Sequence, residues 1–252
     1  MNLNLNNKFA LVCGSTAGIG KATAIKLAEE GAIVTLLARS EDKLKKVLAE
    51  LPQHRPHDYI VADFINPEAL KVKVNTFIKN HHGFHVLINN TGGPAGGPVF
   101  NAKIEEFEDA FTKHLKCNHL LVQTVVPFMK SEHYGRIINV ISTSVKQPLD
   151  GLGVSNTIRG AVANWSKTLA NELGRYAITV NNVLPGATST ERIAQIITHK
   201  SKKSGISEEE ASNAMKNAVP AKRFADPEEL ADAITFLASA RAAYINGINL
   251  PV

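Results

Sequence analysis

The sequence predicts an α/β fold: a single domain built on one parallel sheet covered by helices on both faces. Three observations predict it. Short apolar runs of strand length alternate with longer stretches of helical periodicity from one end to the other, the pattern that feeds a parallel sheet. The first run, Phe9-Ala10-Leu11-Val12-Cys13, passes through glycines at Gly14, Gly18 and Gly20 straight into a helical pattern. A long glycine- and proline-rich segment follows the fourth apolar run, at what must be the carboxyl edge of the sheet, where open α/β sheets bind ligands.

Composition agrees. The 252 residues are 44% hydrophobic and 20% charged, enough core for one domain over residues 1–252. The net charge of +5 is scattered rather than striped and no nucleic-acid motif accompanies it, so nucleic acid is not an expected partner. Cys13 falls on a strand and Cys117 on a helix, which does not indicate a disulfide framework. Residues 1–7 have neither a basic start nor an apolar core, so they do not read as a secretory leader. No apolar run approaches the roughly 20 residues of a spanning helix, and the expected setting is cytoplasmic, away from a membrane.

The elements follow in order. Phe9–Cys13 is an apolar run of buried-strand type. Behind the glycines, Ile19, Ala22, Thr23, Leu27 and Ala28 are spaced for one packed helical face. Strand, glycine turn and helix N-terminus together make a phosphate cradle: free backbone N–H groups, a partial positive charge and glycines that allow close approach. Ser15 and Thr16 add hydroxyl donors. Gly31 ends this helix, and residues 33–38 form the second strand. At its tip, where an acid would hold a ribose 2′-OH, stands Ala38, followed by Arg39 and Ser40; the arginine suits a 2′-phosphate and favours NADP(H) over NAD(H), the alternative being a solvated loop charge. Residues 41–51 read as helix and 59–62 as the third strand. Asp63 and Phe64 then stand where an adenine edge can lie, or Asp63 is an acid ahead of a helix that Pro67 opens and Asn80 closes.

Residues 86–88 are the fourth strand, with Asn89-Asn90-Thr91-Gly92-Gly93 and the irregular loop behind it. Residues 104–129 read as one helix with Asn118 in its middle. Residues 136–141 are the fifth strand, ending in Ser142-Thr143-Ser144; 154–173 a long helix; 178–184 the sixth strand, closed by Pro185-Gly186. A polar helical insertion over residues 188–217 is placed to cap a pocket. Residues 227–238 form the last helix and 244–252 the last strand. His54, His57, His81, His82 and His85 fall on expected surface segments without matching carboxylates, so no metal site is expected.

Together these residues resemble the short-chain dehydrogenase/reductases, and within that family the bacterial 3-oxoacyl-[acyl-carrier-protein] reductases. The matching features are Gly14-x-x-x-Gly18-x-Gly20, Asp63, Asn89-Asn90-Thr91-Gly92, Asn118, Gly135-Arg136-Ile137-Ile138-Asn139, Ser142, Pro185-Gly186 with Thr190, Arg223-Phe224-Ala225-Asp226-Pro227-Glu228-Glu229 and Tyr244-Ile245-Asn246-Gly247. The resemblance implies a Rossmann fold with a seven-stranded parallel sheet, a nicotinamide cofactor and a homo-oligomer, usually a tetramer, with a dimer as the smaller form. It implies that Gly14, Ser15, Thr16, Gly18, Ile19 and Gly20 hold the pyrophosphate, Asp63 and Phe64 the adenine, Arg39 and Ser40 the 2′-phosphate, and Asn90, Thr91 and Gly92 the ribose. Pro185, Gly186 and Thr190 would touch the nicotinamide end. Of the family's catalytic set, Asn118 would organise a water chain and Ser142 would bind the substrate carbonyl. The family continues past its last strand into an acidic residue and two glycines, whereas this sequence ends at Leu250-Pro251-Val252.

The pattern breaks at the family's tyrosine and lysine. The downstream segment Trp165-Ser166-Lys167-Thr168-Leu169-Ala170 fixes the register and puts Ser155 at the tyrosine position and Arg159 at the lysine position. None of the four tyrosines, Tyr59, Tyr134, Tyr176 and Tyr244, falls in that helix. A phenol starts near pKa ~10 and is tuned down by a neighbouring ammonium, whereas an aliphatic hydroxyl is a far weaker acid. Arg159 keeps a positive charge but is a poor proton relay. This Ser-Asn-x-x-Arg helix is similar to that of an atypical bacterial subgroup. Lys146, four residues beyond Ser142 in the loop leaving the fifth strand, can supply the missing ammonium or is a solvated loop lysine. The expected activity is NADP(H)-dependent interconversion of a carbonyl and an alcohol on a small-molecule or carrier-linked substrate, 3-oxoacyl-ACP or -CoA among them. The alternative is a non-catalytic NADP(H)-binding sensor or structural protein.

Overall fold

A computed structural model describes residues 2–252; Met1, the first residue of the 1–7 stretch, lies outside them. Seven strands, β1 (Phe9–Cys13), β2 (Ile33–Ala38), β3 (Asp58–Val61), β4 (Val86–Asn89), β5 (Gly135–Val140), β6 (Ile178–Leu184) and β7 (Asn249–Pro251), form one parallel sheet in the order β3-β2-β1-β4-β5-β6-β7. The order reverses between β1 and β4, and that switch opens a crevice at the strands' carboxyl ends.

Side chains alternate across each strand, so both faces of the sheet are dry. Ala10, Val12, Ile88, Ile138 and Val140 pack with Leu27 of α1 (Gly18–Glu29), Leu44 of α2 (Glu41–Glu50) and Leu230 and Ile234 of α9 (Pro227–Ala238). Leu11, Leu87, Ile137 and Val180 pack with Leu70 and Val74 of α3 (Pro67–Asn80), Leu121 and Val125 of α5 (Cys117–Ser131) and Ala170 of α6 (Gly153–Leu173). Leu5 is fully buried in the first cluster and anchors the N-terminal stretch. Local chemistry sets the helix starts. Asn66 caps α3 ahead of Pro67, and Asp226 with Glu229 boxes the start of α9, also opened by proline.

Side-chain amides cross four strands in register. Asn89 Nδ2 donates to Asn139 Oδ1 at 2.8 Å, Asn139 Nδ2 to Asn182 Oδ1 at 3.0 Å, and Asn182 Nδ2 to Asn249 Oδ1 at 2.8 Å. Asn139 Nδ2 also donates to Ser166 Oγ at 2.9 Å, tying α6 to the ladder.

Several boundaries differ from expectation. β3 and β5 each begin one residue earlier than predicted. The helix expected over 104–129 is instead α4 (Ile104–Phe111), a π-helical turn over Thr112–Lys116, and α5. α4 packs Phe107 and Ala110 against Val154 and Ile158 of α6, whereas α5 packs against the sheet. One inserted residue turns the buried face by roughly 100°, which makes that change of partner possible. The last strand is only three residues long because Gly247 turns the chain at φ +74 and Asn246 is taken up by Val180 N–H and Ala170 C=O. The insertion consists of α7 (Glu191–Ser204) and α8 (Glu208–Ala218), the latter started by a Ser207–Glu210 capping box. The histidines are not all at the surface: His85 is buried and accepts from Phe9 N–H at 3.1 Å, and His57 accepts from Val34 N–H at 3.0 Å. Their ring nitrogens satisfy amides where β1 and β2 begin. No group of metal-ligating side chains occurs among the described residues, and no helix is long and apolar enough to cross a membrane.

Candidate functional site

The crevice at the β1/β4 switch gathers the glycine turn, the loop after β4 and the loop after β6. Gly14 N–H donates to Leu37 C=O at 2.8 Å, and Ser15 Oγ reaches the same carbonyl at 3.4 Å, stapling the turn to β2. Ser15 is fully buried, so its hydroxyl serves the fold and not an incoming phosphate, against expectation. Thr16 is half-buried without a side-chain partner. Gly14 has φ +60, and a Cβ there would lie 2.7 Å from Asn90 O. A Cβ on Gly20 would strike the Gly14 carbonyl and sit 2.6 Å from Asn90 Nδ2. Asn90 crosses the switch, its Nδ2 donating to Cys13 O and Gly14 O at 3.3 Å each. Backbone, not side chain, therefore forms the floor, with the N-terminus of α1 directed into it. Ile19 behind it packs on the core.

The rest of the expected cofactor strip follows the sheet edge. Arg39 is exposed and its Nη1 stands 3.9 Å from Asp63 Oδ2, so the two residues expected at the adenosine end face each other. Ser40 caps α2 through Lys43 N–H at 3.4 Å. Asp63 also accepts from Ile65 N–H at 3.1 Å. Phe64 departs from expectation: its ring is buried in the core and its carbonyl accepts from Cys117 Sγ, leaving no aromatic face for an adenine. Thr91 is half-buried, and Gly92 has open space where a Cβ would stand. Gly186 N–H donates to Val252 O at 2.8 Å, and Pro185 O accepts from Thr143 N–H at 3.5 Å. Thr190 closes the strip: its methyl would lie 3.0 Å from a Cβ on Gly18, and its hydroxyl donates to Thr188 O at 3.3 Å. Behind this contact a cavity of about 620 Å³ runs between α1, the first turn of α7 and the start of α9, lined by Lys21, Ile25, Ile193 and Phe224 among others.

The other expected residues lie where α5, β5 and α6 converge. Asn118 is buried, two residues past the π-helical turn, and its Oδ1 has no partner. Ser142 follows β5 with its Oγ accepting from Ser144 N–H at 3.1 Å, which leaves its own proton free to donate. Ser155 is half-buried in the first turn of α6 and bonds to nothing. Arg159, one turn on, is buried, and its one hydrogen bond is Nη1 to Val140 O at 2.9 Å. Burial, and secondarily the charge of Arg192, lowers it to about 10, so it stays cationic at neutral pH. Lys146 is exposed and makes no side-chain hydrogen bond or ion pair. No tyrosine enters: Tyr59 donates to Glu41 and Tyr134 to Ala238 O.

Two residues near this end were not anticipated. His114, inside the π-helical turn, is buried with Nδ1 unpartnered; burial and then Arg159 hold it down to about 2, so it is neutral. Arg192, in the first turn of α7, sends Nη2 to Pro94 O at 2.6 Å and lies 3.8 Å from the Cβ position of Gly93. Its place two residues past Thr190, in a segment expected to cap the pocket, was the available signal. Nothing in the local pattern around His114 marked it.

Known proteins carry the same frame. A family model described as "Enoyl-(Acyl carrier protein) reductase" matches residues 14–252. The NADPH-dependent reductase BacG of Bacillus subtilis is 30% identical over 96% of this chain and 95% of its own. The 3-oxoacyl-[acyl-carrier-protein] reductase FabG of Vibrio cholerae is 32% identical over 99% and 97%. The structure of L-sorbose reductase from Gluconobacter frateurii, complexed with NADPH and L-sorbose, superposes with a TM-score of 0.93 at 30% identity over 100% of this chain and 97% of that one.

Proposed function

This chain belongs to the short-chain dehydrogenase/reductase family, and from that premise we propose that it is an NADP(H)-dependent oxidoreductase interconverting a carbonyl and an alcohol. The observation that carries the reading is the closure of Gly14, Gly20 and Asn90 over a backbone floor at the β1/β4 switch, a cradle any Cβ would fill. The donor set fits a dinucleotide: amides at the N-terminus of α1 suit a pyrophosphate, and Arg39 suits a 2′-phosphate. NADPH-dependent relatives support the choice of NADP(H). When bound, the nicotinamide supplies or takes up a hydride.

The protein's task at the other end is to hold the carbonyl and the charge that develops on its oxygen. Ser142 donates its free proton to that oxygen, a role its bond from Ser144 N–H preorganises. The buried Arg159 guanidinium stabilises the developing alkoxide electrostatically, where the family uses a tuned phenol. It delivers no proton itself, since guanidinium does not give one up near neutral pH. The proton comes from water, held by Asn118 Oδ1 and by Ser155, with Lys146 at the mouth as the remaining donor. The insertion of α7 and α8 caps the pocket. An assembly of two or four chains, supported by the exposed Ile104 and Phe111 on α4, and a cytoplasmic setting complete the reading.

A 3-oxoacyl-ACP or -CoA substrate is the finer form of the proposal, supported by the FabG relatives. A second reading, a non-catalytic NADP(H)-binding protein, draws on the absence of any tyrosine from α6. Stopped-flow loss of NADPH absorbance with a panel of 3-oxoacyl thioesters and simple ketones separates the two. Turnover supports the oxidoreductase; tight NADPH binding without turnover across the panel supports the sensor.

A further inference from the structure

Two guanidiniums, Arg159 and Arg192, stand near one another beside the crevice. Arg159 and Arg192 form no ion pair with any carboxylate among the described residues, and Arg192 is near enough to lower the pKa of Arg159. A third group that is often cationic, the His114 imidazole, is buried near Arg159 and kept neutral. Burying a charge without a counter-charge is costly, and Arg159 offsets it with a single bond to Val140 O. Arg192 spends one nitrogen on Pro94 O and is only half-buried.

Three walls meet here. The loop after β4 is tied to α7 by the Arg192–Pro94 bond. The same loop is tied to the start of α6 by Gly97 N–H to Gly151 O at 2.7 Å and Gly153 N–H to Gly97 O at 3.0 Å. Arg192 therefore holds one side of a loop whose other side meets the start of α6, the helix that carries Ser155 and Arg159. The cofactor's 2′-phosphate has its own partner in Arg39, and its pyrophosphate has the N-terminus of α1, which meets α7 at the Gly18–Thr190 contact.

We propose that the substrate carries a carboxylate beside its reacting carbonyl, and that Arg192, backed by the charge of Arg159, is the specificity-determining residue that binds it. A guanidinium presents a planar pair of N–H donors that matches a carboxylate's two oxygens, and turning Nη2 away from Pro94 O frees such a pair. A free 3-oxo or 2-oxo acid, in place of a 3-oxoacyl thioester, then enters with its acid on Arg192 and its carbonyl toward Ser142. The proposal rests on the reading of this crevice as a carbonyl–alcohol site.

Calorimetric titration of malonate and of its neutral analogue malonamide, with and without saturating NADP+, tests it. Wild-type protein should bind malonate and not malonamide. Arg192→Gln should weaken malonate binding roughly 10-fold or more, the usual loss for a hydrogen bond to a charged group, and Arg192→Lys should restore part of it. NADPH fluorescence titration of each variant reports folding and tests the parent reading separately. Failure to bind NADPH would sink the oxidoreductase assignment, while malonate binding by unloaded protein would still support the anion site. Equal affinity for malonate and malonamide, no malonate binding, or an Arg192→Gln variant that binds malonate as wild type does would overturn the proposal.

Discussion

Replacing Arg39 with serine separates a cofactor-binding arginine from a solvated one. The side chain is 78% exposed and pairs with Asp63, with Nη1 and Oδ2 3.9 Å apart. A pair that exposed is worth about 0–1 kcal/mol, so little is lost when the guanidinium turns to a 2′-phosphate. Charge-assisted hydrogen bonds to that phosphate contribute about 1.5–3 kcal/mol, leaving a net preference of about 0.5–3 kcal/mol after the pair is released. Arg39→Ser should therefore weaken NADPH roughly 2- to 150-fold. NADH, which has no 2′-phosphate, should change little, and with Asp63 released it can gain slightly. Because the site is exposed, the wild-type preference for NADPH should also shrink as salt rises. Fluorescence titration of both cofactors at two ionic strengths measures this. Equal losses for NADPH and NADH, or none for either, would refute the assignment of the 2′-phosphate to Arg39.

Three further outcomes follow from the geometry. Gly20→Ala should abolish NADPH binding, because the added Cβ meets the Gly14 carbonyl and Asn90 Nδ2; dye-free calorimetry on the folded variant reads it. Asn139→Ala strands Asn89 Nδ2, Asn182 Oδ1 and a bond to Ser166 Oγ, and should cost about 3 kcal/mol or more, seen as a lower urea midpoint at unchanged m. Stability should fall in acid. His114 is held to about 2 when folded, so below its unfolded value of 6.5 the unfolded chain takes up a proton that the folded chain refuses. Burial also lowers His57, His82 and His85, so they act in the same direction. At pH ~5 His114 alone accounts for about 2 kcal/mol, and His114→Asn should flatten the urea-midpoint profile between pH ~7 and ~5.

Strands and caps were legible where local chemistry decides them. β1, β2, α3, β6 and α9 begin and end where apolar runs, Gly31, Pro67 and Pro227 say they should. The π-helical turn was not legible, since helical periodicity persists on both sides of it and the change of buried face depends on where α6 lies. The asparagine ladder was invisible for a related reason: each amide sits on its own strand, and only the parallel register brings the four together. At the site, backbone requirements were readable from glycines. Side-chain roles were less so: Ser15 and Phe64 have motif neighbours that suggest a ligand, yet both turn inward. Arg192 escaped notice because a lone charge in a polar insertion looks solvated until Pro94, nearly a hundred residues away, is seen against it.

The central claim is that a crevice without the family's tyrosine still passes a hydride to a carbonyl. NADPH deuterated at the transferable position of the nicotinamide, incubated with the protein and a panel of 3-oxo acids, their thioesters and simple ketones, tests it directly. Mass spectrometry of the products should find one deuterium on the new carbinol carbon. NADPH that binds tightly yet labels none of the panel would contradict the claim and leave a cofactor-binding protein in its place.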